Sequence, residues 1–181
     1  MMLFDQHYSE AGAENKLTII MRELLTARLE LPYIMCIGTD KHILDCLGPL
    51  IGTMVKEQMP MFPLYGTLHN PLHARNITKQ LQSIRCLHEG GTELVIDASV
   101  GEPDEVGHIR LRAGSIYPGK ATGKKLPHVG EYALTGVVKS KQISRLLPNQ
   151  VRNESLAMVY TMARIISLSL LSWYKIFTED L

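Results

Sequence analysis

Apolar residues recur along the chain with two different spacings, which predict its helices and strands. Positions 13–29 and 47–59 have apolar residues three or four apart, which is typical of helices that pack on one face. Segments 33–37, 62–65 and 93–96 are short apolar runs that end at a glycine or a polar residue. Runs of this kind are typical of strands buried on both faces of a sheet.

The same reading continues to the end of the chain. Asn70 followed by Pro71 is typical of an N-cap and a first helical turn, so a helix is predicted from there to about residue 87. The remaining segments are predicted as strands at 108–116 and 132–138, loops at 99–107 and 119–130, and a long helix at about 150–177.

Strands and helices that alternate in this way predict the α/β class. The expected architecture is a three-layer α/β/α sandwich with a largely parallel central sheet. A length of 181 residues suits one domain covering 1–181. Within it we expect an N-terminal helix in 1–30, an α/β core in 31–150 and a C-terminal helix in 150–177.

Charge and cysteine content narrow the classes of function. The formal net charge is +1, which argues against a general nucleic-acid-binding protein. The three cysteines are far apart in the sequence and form neither a disulfide framework nor a CxxC metal site, as expected in a reducing cytoplasm. No signal-peptide pattern opens the chain. These features predict a cytoplasmic protein with no bound cofactor.

One apolar segment raises the question of a membrane. Residues 155–174 contain a single charge, Arg164, near the middle, where a charge costs about 2.5–3.5 kcal/mol on insertion scales. We therefore predict a core helix and no membrane partner. If one side of this helix stays uncovered, its apolar residues favour a homodimer. They are Ile165, Ile166, Leu168, Leu170, Leu171 and Trp173.

Two aspartates follow predicted strands. Asp45 comes after the strand at 33–37 and just before a helix, and Asp97 follows the strand at 93–96. In open parallel sheets the ligand site lies beyond the carboxyl ends of the strands. If these two strands are neighbours, both carboxylates face one crevice, and carboxylates whose pKa values are pushed apart act as base and acid.

Each aspartate also has a structural alternative. An aspartate before a helix commonly caps it, and an aspartate at a strand end commonly binds loop amides. Histidines at 42, 69, 73 and 128 offer a metal site together with the aspartates, although no close-spaced metal motif is present. Cys46, at a helix start, is an alternative nucleophile.

Four segments, in order, resemble the YyaC family of sporulation proteins, which is related to germination proteases. They read GTDKHILDCLGPLIG at 38–52, LYGTLHNPLHARNI at 64–77, VIDASVGEPDEVGHI at 95–109 and PGKATGKKLPHVGEYALTGVV at 118–138. The first is also similar to the germination protease segment in which a glycine-rich turn leads to Asp-x-Leu-Gly-Pro.

The resemblance implies a hydrolase-like α/β/α fold shared with germination protease and hydrogenase maturation endopeptidases (the phosphorylase/hydrolase-like type). Germination protease degrades small acid-soluble spore proteins and is regarded as an atypical aspartic-type peptidase. Its two key aspartates correspond to Asp45 and Asp97. The implied location is the cytoplasm of a spore-forming bacterial cell, in the forespore. The alternative is a non-catalytic sporulation protein that binds a peptide or protein partner in the same crevice.

Residues around the two aspartates are candidates for binding the substrate. Gly38 allows close backbone approach, and Thr39 and Asp40 follow it in the same turn. Ser99 lies two residues after Asp97. Lys124, in the Gly- and Lys-rich loop, is expected to overhang the crevice as an electrostatic partner; the glycine spacing there does not match a phosphate-binding loop.

Overall fold

The structure is a computed structural model that describes residues 1–25, 31–118, 127–141 and 155–179. Its strands are β1 (Met2–His7), β2 (Tyr33–Cys36), β3 (Leu64–Tyr65), β4 (Glu93–Gly101), β5 (His108–Ala113) and β6 (Tyr132–Ser140). Its helices are α1 (Ala13–Leu25), α2 (Leu47–Gln58), α3 (Ile77–Leu87) and α4 (Leu156–Glu179). Short 3-10 turns lie at Ile43–Asp45 and Pro103–Glu105.

The six strands form one sheet in the order β1-β5-β6-β4-β2-β3. The pairs β2–β3, β2–β4 and β4–β6 are parallel, whereas β5 is antiparallel to both of its neighbours. All strands except β5 therefore run in the same direction and end at the same edge of the sheet. The predicted α/β class with a largely parallel sheet is confirmed.

Helices cover both faces of the sheet. On one face α1, α2 and α4 enclose the larger core, in which Leu17, Leu47 and Trp173 are fully buried with Ile96 of β4. On the other face α3 packs Leu81 and the rest of its apolar side against β2, β4 and β6. The sheet is thus the middle of three layers, as the sequence predicts.

Helix α4 is a core helix. It is the one helix in the described part of the chain that is long and apolar enough to cross a membrane, over Leu156–Thr178. Ile166, Leu170 and Trp173 are nevertheless completely buried, because α1 and α2 pack against it. The apolar face on which we expected a dimer is thus covered largely within the chain, and a homodimer stays a prediction.

The start of α3 differs from the prediction. The helix begins at Ile77, not at 70–71. Leu72 forms a parallel bridge with Ile37, and this pairing is incompatible with a helix at that position. The Asn76 side chain accepts the His73 amide and donates to the Pro71 carbonyl, so it fixes the extended segment ahead of the helix.

Three other boundaries also differ. Strand β4 continues past Asp97 to Gly101, because β6 pairs with it over its full length, so the loop predicted at 99–107 begins only after Gly101. Strand β5 ends at Ala113, and Ile116 forms only an isolated bridge with Val129. Strand β1 was not predicted. Parts of the predicted helices and of the 119–130 loop lie outside the described residues, at 26–30, 119–126 and 142–154.

Candidate functional site

The segment after β2 places Asp45 at the carboxyl edge of the sheet. The Thr39 amide donates to the Asp45 carbonyl at 2.9 Å, and the Asp45 amide donates to the His42 carbonyl at 2.9 Å. These bonds fold residues 39–45 into a compact loop that ends in the 3-10 turn Ile43–Asp45, which contacts β4 and leads directly into α2. The chain thereby carries the Asp45 side chain beside the end of β2.

Two glycines make this close packing possible. Gly38 has φ 144°, and a Cβ there would collide with the Asp45 carbonyl oxygen and lie 2.9 Å from the Pro49 ring. A Cβ on Gly48, in the first turn of α2, would collide with the Ile37 carbonyl. The loop and the helix start therefore touch the residues that follow β2, Ile37 and Gly38, at distances that exclude any side chain on Gly38 or Gly48.

Asp97 lies in β4 just beyond the end of β2. The Ile37 amide donates to the Ile96 carbonyl at 2.8 Å, and Asp97 is the next residue along β4. On its other side β4 continues beside β6, with Asp97 opposite Thr135. One Asp97 oxygen accepts the Ala98 amide at 2.8 Å. The two strands are therefore neighbours, as the two-carboxylate hypothesis requires, although Asp97 lies within its strand and not at the end of it.

The two carboxylates are coupled electrostatically. Burial raises the pKa of Asp97 to about 8, and the negative charge of Asp45 contributes to this shift, against a lowering effect of the Ala98 amide. Burial also raises the pKa of Asp45, while the charges of His42 and His73 oppose the increase. Asp97 is therefore the group that stays protonated around neutral pH, and Asp45 is the group whose ionised form is favoured by the neighbouring histidines His42 and His73.

Neither carboxylate is fully occupied by a structural role. The N-cap position of α2 is Cys46, and no side chain caps that helix. Asp45 is exposed, although the protein around it is close enough to raise its pKa. Asp97 is half-buried and uses one oxygen for the Ala98 amide. The capping alternative for Asp45 is thus wrong, and the loop-amide alternative accounts for only one oxygen of Asp97.

The proposed binding residues have different surroundings. Gly38 is buried at the floor of the loop, Thr39 is half-buried and Asp40 is exposed. The Thr39 hydroxyl accepts the Lys41 amide at 3.3 Å. Ser99 is half-buried and donates its hydroxyl to the Gly136 carbonyl at 3.2 Å, so it is engaged with β6. Lys124 lies outside the described residues.

The structure gives less support to the two alternatives, a metal site and Cys46 as a nucleophile. The described residues contain no group of three or more His, Cys, Asp or Glu side chains placed to hold a metal ion. Burial raises the pKa of Cys46, and its thiol donates to the Ile43 carbonyl at 3.1 Å. A buried thiol with a raised pKa is a poor nucleophile.

Two residues lie beside the acid pair that the sequence did not indicate in that position: Thr135 was not predicted at all, and His73 was named only as one of four possible metal ligands. Thr135 lies next to Asp97 only because β6 inserts between β4 and β5, an order that no local pattern predicts. His73 comes close to Asp45 because Leu72 pairs with Ile37 where a helix was expected. No signal in the sequence separates it from the other histidines.

Comparison with known proteins identifies relatives over nearly the whole chain. Residues 5–169 match the family described as "Protein of unknown function (DUF1256)". The chain is also 33% identical to the "Uncharacterized protein YyaC" of Bacillus subtilis (strain 168) over 162 residues, which are 89% of this chain and 78% of that protein. The matched region includes both aspartates and every element of the sheet except the start of β1.

Proposed function

The chain belongs to the DUF1256 (YyaC) family, and we propose that it is an endopeptidase-type hydrolase in which Asp45 and Asp97 cleave a peptide bond. The observation that carries the proposal is the pair itself. Two carboxylates from adjacent parts of the carboxyl edge interact, and the pKa of Asp97 is raised to about 8 in part by the charge of Asp45. The resemblance to germination protease supports the choice of a peptide bond.

The larger upward pKa shift of Asp97 assigns the two roles. Asp45, whose ionised form is favoured by His42 and His73, is the base that orients a water molecule and takes its proton. Asp97 is the acid that is protonated at neutral pH and donates to the carbonyl oxygen of the substrate. One structural element supplies each role: the turn before α2 holds the base, and β4 holds the acid.

Asp45 and Asp97 together accept and return all the protons that the proposed reaction moves. The water oxygen bonds to the carbonyl carbon as Asp45 accepts one water proton and Asp97 gives its proton to the carbonyl oxygen. Collapse of the tetrahedral intermediate breaks the C–N bond, returns a hydroxyl proton to Asp97 and passes the proton on Asp45 to the leaving nitrogen. The first-turn amides of α2, at Leu47 and Gly48, lack intrahelical acceptors and favour negative charge nearby.

The test is peptide cleavage by the purified full chain. The probes are a small acid-soluble spore protein and fluorescently labelled casein, with products identified by mass spectrometry. We expect cleavage by the wild type and a loss of about 10²- to 10⁴-fold in Asp45→Asn, as for removal of a general base. Asp104→Asn, which removes an exposed carboxylate on the 3-10 turn after β4, is the matched control and should leave cleavage unchanged.

The same experiment separates the peptidase from a non-catalytic binding protein. If the wild type and Asp45→Asn bind the probe equally well and neither cleaves it, the peptidase proposal is wrong and a peptide-binding role takes its place. We propose a cytoplasmic location in a spore-forming cell on the resemblance alone, and a fluorescent fusion followed through sporulation tests it.

A further inference from the structure

Three neighbouring chain segments run side by side at the candidate site. The Ile37 amide donates to the Ile96 carbonyl at 2.8 Å, and on the other side Ile37 bridges Leu72, whose carbonyl accepts the Gly38 amide at 2.9 Å. Continued by one residue, the register places Asp97 beside Ile37, and Gly38 beside His73. His73 therefore lies next to a residue that has no side chain.

Backbone hydrogen bonds bring His73 close to the loop that holds Asp45. The carbonyl of Leu72, the residue before His73, accepts the Gly38 amide at 2.9 Å, and the next residue, Thr39, donates its amide to the Asp45 carbonyl at 2.9 Å. The segments that carry His73 and Asp45 are thus bound to two consecutive residues. In agreement, His73 opposes the increase in pKa that burial causes at Asp45.

The imidazole of His73 is held in one orientation. Its backbone amide donates to the Asn76 side chain at 2.9 Å, and its carbonyl accepts the amides of Asn76 and Ile77. Its Nδ1 atom accepts the Arg75 amide at 3.2 Å. A neutral imidazole that accepts at Nδ1 carries its proton on Nε2, so the ring presents an N–H donor away from its own loop.

We infer that His73 is a positioning residue for the reaction, with its Nε2–H donating to the Asp45 carboxylate while that group holds the attacking water. This inference rests on the proposed function, because it assigns His73 a part in the same chemistry. A hydrogen bond donated to the ionised carboxylate of Asp45 favours that form and so lowers the pKa of Asp45. Asp45 thereby remains the base of the pair, and Asp97 remains the acid. Besides burial, the groups that act on the pKa of Asp45 are His42 on the same loop and His73 on the loop before α3, and Asp45 in turn acts on the pKa of Asp97 on β4.

Two substitutions test the donor. His73→Gln places an amide N–H near the position of Nε2 and retains the donor, whereas His73→Asn is too short to reach it. We expect His73→Asn to lower kcat about 10- to 100-fold at neutral pH, the cost of losing a hydrogen bond to a charged group. His73→Gln should stay within about threefold of the wild type. His69→Asn, on the exposed part of the same loop, is the control and should have no effect.

A second readout does not depend on cleavage. The carboxyl carbon of Asp45 is titrated by NMR in the full-length wild type and in both variants, after thermal unfolding confirms that each is folded. The inference predicts a higher Asp45 pKa in His73→Asn than in His73→Gln. Identical titration in all three proteins, or an equal increase in both variants, would overturn it. If no protein cleaves peptide, the proposed function fails, and this titration still decides whether His73 acts on Asp45.

Discussion

Gly38 and Asp45 are in direct backbone contact: the Asp45 carbonyl oxygen occupies the space that a Cβ on Gly38 would need. The Thr39 amide binds the same oxygen at 2.9 Å. The backbone of Asp45 is thereby fixed relative to the end of β2, and through β2 relative to Asp97 on the neighbouring strand. The glycine is thus part of the structural basis of the acid pair.

Gly38→Ala should destabilise the protein strongly. The residue has φ 144°, a conformation that is strained for any L side chain, and the added methyl group collides with backbone. We expect a loss of more than about 3 kcal/mol in urea-induced unfolding. Gly12→Ala is the matched control, because Gly12 has φ 80° with open space around it and should cost only about 1–2 kcal/mol. Equal losses in the two variants would argue against the collision.

Asp97→Asn should increase stability at alkaline pH. The pKa of Asp97 is about 8 in the folded chain and about 4 in an unfolded one, so folding is opposed once the group must ionise. The stability of the wild type relative to Asp97→Asn should therefore fall as the pH rises from about 4 to about 8, by roughly 2–5 kcal/mol in all. Urea unfolding at several pH values measures the difference. A difference that does not change with pH would show that Asp97 ionises normally.

The rate of peptide cleavage should fall on the alkaline side. If Asp97 donates its proton, kcat/KM decreases about tenfold for each pH unit above the pKa of that group, which is about 8. Circular dichroism at each pH serves as the control for unfolding. A rate that stays constant to pH 10 in the folded protein would remove Asp97 from the role of acid.

Glu93 should be important for stability and not for cleavage. It is buried at the start of β4, where Arg85 binds it through Nε at 2.8 Å, and Tyr33 and the Gly130 amide also donate to it. Although burial opposes it, these bonds hold its pKa below the usual range. We expect Glu93→Gln to cost about 2–4 kcal/mol near neutral pH. The loss of stability in Glu93→Gln should become smaller as the pH falls through the range in which Glu93 becomes protonated, because the wild type then loses the same negative charge.

The control for Glu93→Gln is an ion pair at the surface. Lys141 binds Glu102 at 3.1 Å with both side chains about half exposed, so Lys141→Gln should cost less than about 1 kcal/mol. Losses of the same size in the two variants would indicate that the Glu93 cluster is as well solvated as the surface pair.

The sequence predicted the parts of the fold that depend on local periodicity. The apolar period placed α1, α2 and α4, and continuous apolar runs placed β2 and the first half of β4, because burial on one or both faces leaves these patterns. It failed where pairing between distant segments overrides local preference. Asn70 and Pro71 are typical of a helix start, yet Leu72 pairs with Ile37 instead.

The candidate site was predictable where it depends on local patterns in the sequence and not where it depends on the pairing of distant segments. Asp45 and Asp97 were identified because both follow apolar strands, and the general position of sites in parallel sheets directed attention to them. The coupling between them depends on the adjacency of β2 and β4, which only the sheet order reveals. His73 and Thr135 reach the site through pairings that no local pattern encodes.

Titration of the Asp97 carboxyl carbon by NMR, in the wild type and in Asp45→Asn, tests the acid pair most directly. We expect a pKa of about 8 in the wild type and a lower value in Asp45→Asn, because the neutral amide removes the negative charge that opposes ionisation of Asp97. A wild-type pKa near the ordinary value for aspartate, or one that Asp45→Asn leaves unchanged, would contradict the coupling and the division of roles built on it.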